Sequence, residues 1–231
     1  MTRNWKDVWS SRTLDRNRTS VLERLMAADG LDTGFGNVTE EAWREFSLGV
    51  ADRVGAKAGT RVYEVGCGAG AFLLPWHERG CAVGGLDQSP ALIAFASEAM
   101  PGGEWMVADA TAVPTDRRAE VVLACGVFMY FPDHAYARDV LAKMIAKSAG
   151  HLLVLDVPDR ERQDAAMAFR RGSLGEAEYE EKYRGLDHLF FDRLWMRDTL
   201  GALGASDVEI EDQRVRGYQN AQFRFNVFAR V

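Results

Sequence analysis

Residues 61–72 read RVYEVGCGAGAF. Arg61 to Val65 form a short run of strand formers, and glycines follow at Gly66, Gly68 and Gly70. Helical sequence comes next, over residues 69–78. A strand, a glycine turn and a helix in this order open a βαβ unit of the nucleotide-binding kind. Gly66 and Gly68 also let backbone approach a ligand closely. Glu64 is at odds with an ordinary phosphate cradle, because a pyrophosphate at the helix N-terminus wants N–H donors and no neighbouring acid. A cationic, phosphate-free nucleoside reverses that sign. Opposite unit charges 4 Å apart near a protein surface attract by about 4 kcal/mol before desolvation.

The alternation continues downstream. AVGGLD (82–87) reads as the second strand, with Ser89 and Pro90 as cap and first-turn proline of the next helix. EWMVAD (104–109), EVVLAC (120–125) and HLLVLDV (151–157) read as strands three to five, with a helix over 135–147 between the last two. Residues 158–192 form a polar insertion of two helices, and another helix covers 194–203. DVEIEDQRV and FRFNVFARV then alternate apolar with polar, as half-exposed strands do, and the short link between them suggests a hairpin. This order predicts an α/β fold whose parallel sheet ends antiparallel. Residues 1–50 read as helical, a lid or flank.

The chain has 231 residues, 47% hydrophobic and 27% charged, enough for one sizeable core. Its formal net charge of -6 argues against a nucleic-acid partner, which would need a basic face. Three cysteines, Cys67, Cys81 and Cys125, lack metal-ligand spacing, and the first residues lack the apolar core of a signal peptide. No apolar run is long enough to span a bilayer. A cytoplasmic protein, monomer or homodimer, is the expectation.

Two more acids follow strands. Asp87 ends strand two, where a carboxylate accepts ribose hydroxyls in NAD and S-adenosylmethionine sites alike. Asp109 follows strand three and is placed to accept from an adenine amino group, with the Ala110 N–H beside the ring; a plain turn residue is the alternative.

Together EVGCGAG (64–70), Asp87 and Asp109 resemble the class I S-adenosylmethionine-dependent methyltransferases, over about residues 60–156 and again in the last strand. The resemblance implies a Rossmann-like, doubly wound seven-stranded sheet, mostly parallel with an antiparallel C-terminal strand, in a single domain over 1–231. It implies S-adenosyl-L-methionine as cofactor and a small-molecule acceptor, O or N being the methylated atom. Glu64, Gly66, Cys67 and Gly68 would hold the methionine part, Asp87 the ribose, and Asp109 and Ala110 the adenine, with Gln88 and Cys125 also in the cofactor-binding set. Some relatives place histidines after strand four; here Met129 and Tyr130 stand there, so Tyr130 is expected to touch substrate. Relatives also fold an N-terminal segment over the cofactor, a role open here to Trp9 and Arg12. The bland alternative is an amphipathic helix packing Trp5 and Trp9 on the core.

An alcohol or amine acceptor needs a general base, whereas a carboxylate needs arginine nearby instead. His188, where the insertion returns to the fold, is the first candidate base and Asp156 the rival; Tyr183, Phe190 and Phe191 are candidate pocket walls. His134 reads as a helix cap, and His77 and His151 as structural. The insertion carries Arg160, Arg162, Arg170, Arg171 and Arg184, read as a salt-bridged surface given the acids nearby. The insertion (157–192) is a candidate substrate cap or dimer contact. Two other classes stay open: an NAD-dependent oxidoreductase, which Glu64 disfavours, and a non-catalytic cofactor-binding subunit of the same fold.

Overall fold

The computed structural model describes residues 4–31 and 38–231; the other residues of the N-terminal flank, 1–3 and 32–37, lie outside it. Three helices come first, α1 (Trp5–Ser10), α2 (Val21–Ala28) and α3 (Glu40–Arg53). The alternating part follows as β1 (Arg61–Val65), α4 (Leu74–Glu78), β2 (Ala82–Asp87), α5 (Pro90–Ala99), β3 (Glu104–Val107), β4 (Ala119–Cys125), α6 (His134–Lys147) and β5 (Ser148–Pro158). The insertion forms α7 (Gln163–Leu174) and α8 (Glu176–Tyr183). The chain closes with α9 (Arg193–Ala202), β6 (Ser206–Asp212) and β7 (Arg224–Arg230).

The strands make one seven-stranded sheet in the order β3-β2-β1-β4-β5-β7-β6. The first five run parallel, with Glu64 beside Gly85 and Val122 beside Leu152. β7 slots antiparallel between β5 and β6, pairing Val227 with both Val154 and Ile210. The antiparallel ending is as the alternating last segments predicted. Because β1 and β4 lie at the centre, side chains on both faces are buried. Val62, Leu123 and Leu153 pack under α2 to α5, whereas Tyr63, Val122 and Leu152 pack under α6 and α9. That is why the central strands read as apolar runs rather than alternating ones. Trp76, fully buried on α4, is a measure of the packing: truncation to Ala would cost roughly 3–5 kcal/mol.

Three local readings change. The first helix begins at Leu74, not at residue 69. The N–H groups of Ala69 and Ala71 are taken by the Asp29 carboxylate, and Pro75 sits in the first turn, where its missing donor costs nothing. Asp133 rather than His134 caps α6, accepting from the Tyr136 N–H; the His134 ring packs edge-on against Phe191 and Trp195. Arg12 lies beyond the end of α1, which stops at Ser10. Ser89 caps α5 as read, accepting from the Leu92 N–H, a contact worth about 1 kcal/mol.

Candidate active site

A cavity of about 1070 Å³ opens at the carboxyl ends of the central strands, where the strand order reverses between β1 and β4. This is the crevice in which open α/β sheets bind ligands, and its volume is ample for two small molecules. Each residue singled out above for cofactor or catalysis lines it. The walls differ sharply in charge from one end to the other.

At the first end the glycine turn is folded back on itself. Gly66 (φ +71°) and Gly68 (φ +54°) adopt the left-handed conformation that favours glycine. A Cβ at Gly68 would also collide with the Asp29 carboxylate. The N–H groups are all engaged. Gly66 and Cys67 donate to the Leu86 carbonyl, Gly68 to Asp87 Oδ2 at 3.1 Å, and Gly70 to the Cys67 carbonyl. Ala69 and Ala71 donate to Asp29 at 2.6 and 3.0 Å. In a dinucleotide site such groups face a pyrophosphate; here carboxylates and backbone carbonyls already hold them.

Three acids therefore share this wall. Glu64 is 2% exposed, and its Oε2 meets no donor. Burial, and then the charges of Asp29 and Asp87, push its carboxyl well above the usual range. Burial likewise raises Asp87, and raises Asp29 to about 7. Among the described residues no group of three or more His, Cys, Asp or Glu is arranged to hold a metal ion. Asp29 escaped the sequence reading, since a lone Asp-Gly after a helix looks like an ordinary helix end.

Asp109 sits along the same side. Burial pulls it up, but hydrogen bonds from Thr111 and Tyr136 outweigh that and hold it below its ordinary value. Its Oδ1 receives the Thr111 N–H and hydroxyl and the Tyr136 hydroxyl, at 2.9, 2.6 and 2.7 Å. Ala110, Gln88, Cys67 and Cys125 complete this part of the lining; burial raises both thiols, so neither is a ready thiolate.

α1 crosses the opening. Trp9 approaches Tyr130 edge-on at 5.3 Å, and its carbonyl accepts from the Ser89 hydroxyl. Trp5 stacks on His188 at 4.7 Å and donates from Nε1 to the Asp187 carbonyl. No residue of α1 is fully buried; both tryptophans line the cavity, and Trp9 also packs against the core, so lid and core packing coexist there. The Arg12 guanidinium lies over the Trp9 ring and counters the rise in the Asp29 pKa.

The second end is basic and aromatic. Arg170 of α7 and Arg224 of β7 are each 3% exposed. Arg170 Nη1 lies 2.5 Å from His188 Nδ1. A guanidinium only donates, so Nδ1 must accept and the His188 proton sits on Nε2. Burial, Arg170 and Arg224 all drive the His188 pKa well down. This ring is a neutral donor toward the cavity, which argues against the general-base role expected of it. Tyr130, pushed up to about 12 by burial, stays a phenol.

Asp156 lies between the two ends. It adopts φ 57°, a left-handed conformation that few residues besides glycine, Asn and Asp accept, at an irregularity in the β5–β7 pairing. Its N–H donates to Asn226, Oδ2 accepts from the Tyr218 hydroxyl at 3.2 Å, and Oδ1 is buried without a partner. The other insertion arginines face away. Arg162 pairs with Asp159 and Asp212, Arg171 with Glu176 and Glu180, and Arg160 and Arg184 are exposed. Phe190 and Phe191 are core residues; Tyr183 lines the cavity.

Residues 62–147 match the family model described as a methyltransferase domain. A trans-aconitate 2-methyltransferase from Methylobacterium nodulans is 31% identical over 121 residues, 52% of this chain and 46% of that protein; the match thus spans about half the length of the curated relative. An S-adenosylmethionine-bound amino pentose methyltransferase of calicheamicin biosynthesis, from Micromonospora echinaspora, superimposes with a TM-score of 0.66 at 20% identity, covering 92% and 97% of the two chains. An N-methyltransferase from Bradyrhizobium japonicum in complex with S-adenosyl-L-homocysteine gives 0.59 at 22% identity, covering 90% and 94%. At such identities the two superpositions establish the fold. With the sheet order, they give this chain the fold of S-adenosylmethionine-dependent methyltransferases, and residues 62–147 within it match the methyltransferase-domain model.

Proposed function

We propose that the chain transfers a methyl group from S-adenosyl-L-methionine to an oxygen or nitrogen of a small molecule by in-line displacement. The observation that carries this is the acidic end of the cavity. Glu64 Oε2 is buried and unpartnered, and every N–H of residues 66–71 is already engaged. Such a wall repels a pyrophosphate and welcomes a cation. The bound cofactor would supply a methyl group activated by positively charged sulfur. Glu64 and Asp29 would face its ammonium and sulfonium, Asp87 its ribose hydroxyls, and Asp109 with Ala110 its adenine. α1 would close over it as a lid, with Trp5, Trp9 and Tyr130 excluding water. α7 and α8 would cap the acceptor and fix its line of attack, which is most of what methyl transfer asks of a protein.

Trans-aconitate, named for the Methylobacterium relative, belongs in the acceptor panel as an acid that carries neither hydroxyl nor amine. The test is transfer of labelled methyl from S-adenosylmethionine to a panel of small acids, alcohols and amines. Label in a small-molecule product supports the reading. Tight cofactor uptake with no transfer, except when another chain is added, would favour the non-catalytic subunit. Among the described helices none is long and apolar enough to cross a membrane.

A further inference from the structure

The basic end of the cavity contains two buried charges with no counter-ion. Arg170 and Arg224 form no ion pair with any described residue, unlike their neighbours Arg162 and Arg193, which share Asp159 and Asp212. Arg170 has one side-chain partner, the neutral His188, and Arg224 Nη1 has none. A buried unpaired charge is among the most destabilising features a fold can carry. Two together are worse, and burial with the nearby Arg224 charge lowers the Arg170 pKa. Asp156 lines the same cavity but leaves both arginines unpaired; it holds Tyr218 through Oδ2 and keeps Oδ1 open. Tyr218 bonds Asp156, and Tyr130, Tyr218, Asp156 and both arginines line the one cavity. The open groups are thus complementary: cationic donors at the far end, and a single acceptor nearer the acidic wall. A planar guanidinium suits a carboxylate, which takes two parallel N–H bonds.

Building on the proposed methyl transfer, we infer that the acceptor is a small carboxylic acid that also carries a hydroxyl or amino group. Arg170 and Arg224 anchor its carboxylate, and Asp156 Oδ1 receives its second donor. Charge at one end and a donor at the other fix the molecule's direction in the cavity. A neutral sugar or simple amine would leave both arginines buried and unpaired.

The test is calorimetry with probes that differ in one group. 4-Hydroxybenzoate and malate are titrated against their amides, 4-hydroxybenzamide and malamide, and against benzoate and succinate, which lack the hydroxyl. Each titration is run with and without saturating S-adenosylhomocysteine. The hydroxy acids should bind at least about tenfold more tightly than their amides. Arg224→Gln, and separately Arg170→Gln, should abolish that difference while leaving S-adenosylhomocysteine affinity unchanged, which also reports that the fold is intact. Asp156→Asn, which tolerates the left-handed backbone, should remove only the preference for the hydroxyl. Amides binding as well as acids, or no acid binding in either state, would overturn the inference. Inorganic phosphate matching the acids would reassign the anchor to a phosphate ester and overturn it too. Acid binding without any uptake of S-adenosylhomocysteine would sink the cofactor reading and leave the anion site standing.

Discussion

The acidic and basic ends of the cavity solve opposite electrostatic problems with different kinds of chain. Glu64, Gly68 and Asp87 come from two adjacent strands and the turn after the first, within a stretch of sequence short enough to read as a motif. Backbone N–H groups stabilise two of the acids there, with Gly68 and Ser89 donating to Asp87, and Ala69 and Ala71 to Asp29. Arg170 and Arg224 come from the insertion and the last strand, and the fold leaves them without anions. A site built on one strand–turn motif is shared by a fold; one built from side chains on distant segments belongs to one chain. The first end can therefore be inferred from pattern, and the second only from geometry.

The largest effect should come from the acidic end. Asp87→Ala removes the proposed ribose partner and frees the Gly68 N–H, so S-adenosylhomocysteine should bind roughly 10- to 100-fold more weakly by calorimetry. Affinity for the acid probes should not change. Equal affinity for the nucleoside would remove Asp87 from the site. At the other end, Arg224→Gln should raise the KM for the acceptor about tenfold and leave the Kd of S-adenosylhomocysteine alone. A variant that weakened both would show that the two ends do not act separately.

A smaller effect follows from pH. Burial raises Asp29 to about 7 from an ordinary value of 3.8. Between those values the folded protein binds more protons than the unfolded chain, so stability of the protein alone should fall as pH rises from about 4 to about 7. A cationic ligand favours the ionised acid, so affinity for S-adenosylmethionine should climb several-fold over the upper part of that range. Thermal unfolding and calorimetry across pH 5.5 to 8.5 read both slopes; flat curves would mean that Asp29 is not held as described. The smallest effect is expected of the N-terminal segment. Deleting residues 1–12 should speed S-adenosylhomocysteine dissociation several-fold in stopped flow, by removing the Trp5 and Trp9 contacts, and an unchanged rate would refute the lid.

Much of this was legible in the sequence, for physical reasons that can be named. The strand–glycine–helix unit and the acids at strand ends are local, and the strand runs reveal a sheet covered on both faces. The start of α4 was not legible, because it depends on Asp29 capturing two N–H groups from about forty residues away. Arg170 and Arg171 are adjacent letters, yet the helical turn buries one beside His188 and sends the other to Glu176. Arg224 looks like any polar residue of an alternating strand until the fold places it in the cavity. The base role expected of His188 rested on its position alone, and the Arg170 contact alters what that ring can do.

The central claim is that the acidic wall selects a positively charged nucleoside over a phosphate-bearing one. Calorimetric titration of the purified protein at pH 8 with S-adenosylmethionine and, separately, with NADH tests it most directly. Saturable binding of S-adenosylmethionine, weakened by Glu64→Gln, and no heat from NADH are expected. Binding of NADH with S-adenosylmethionine inert would contradict it.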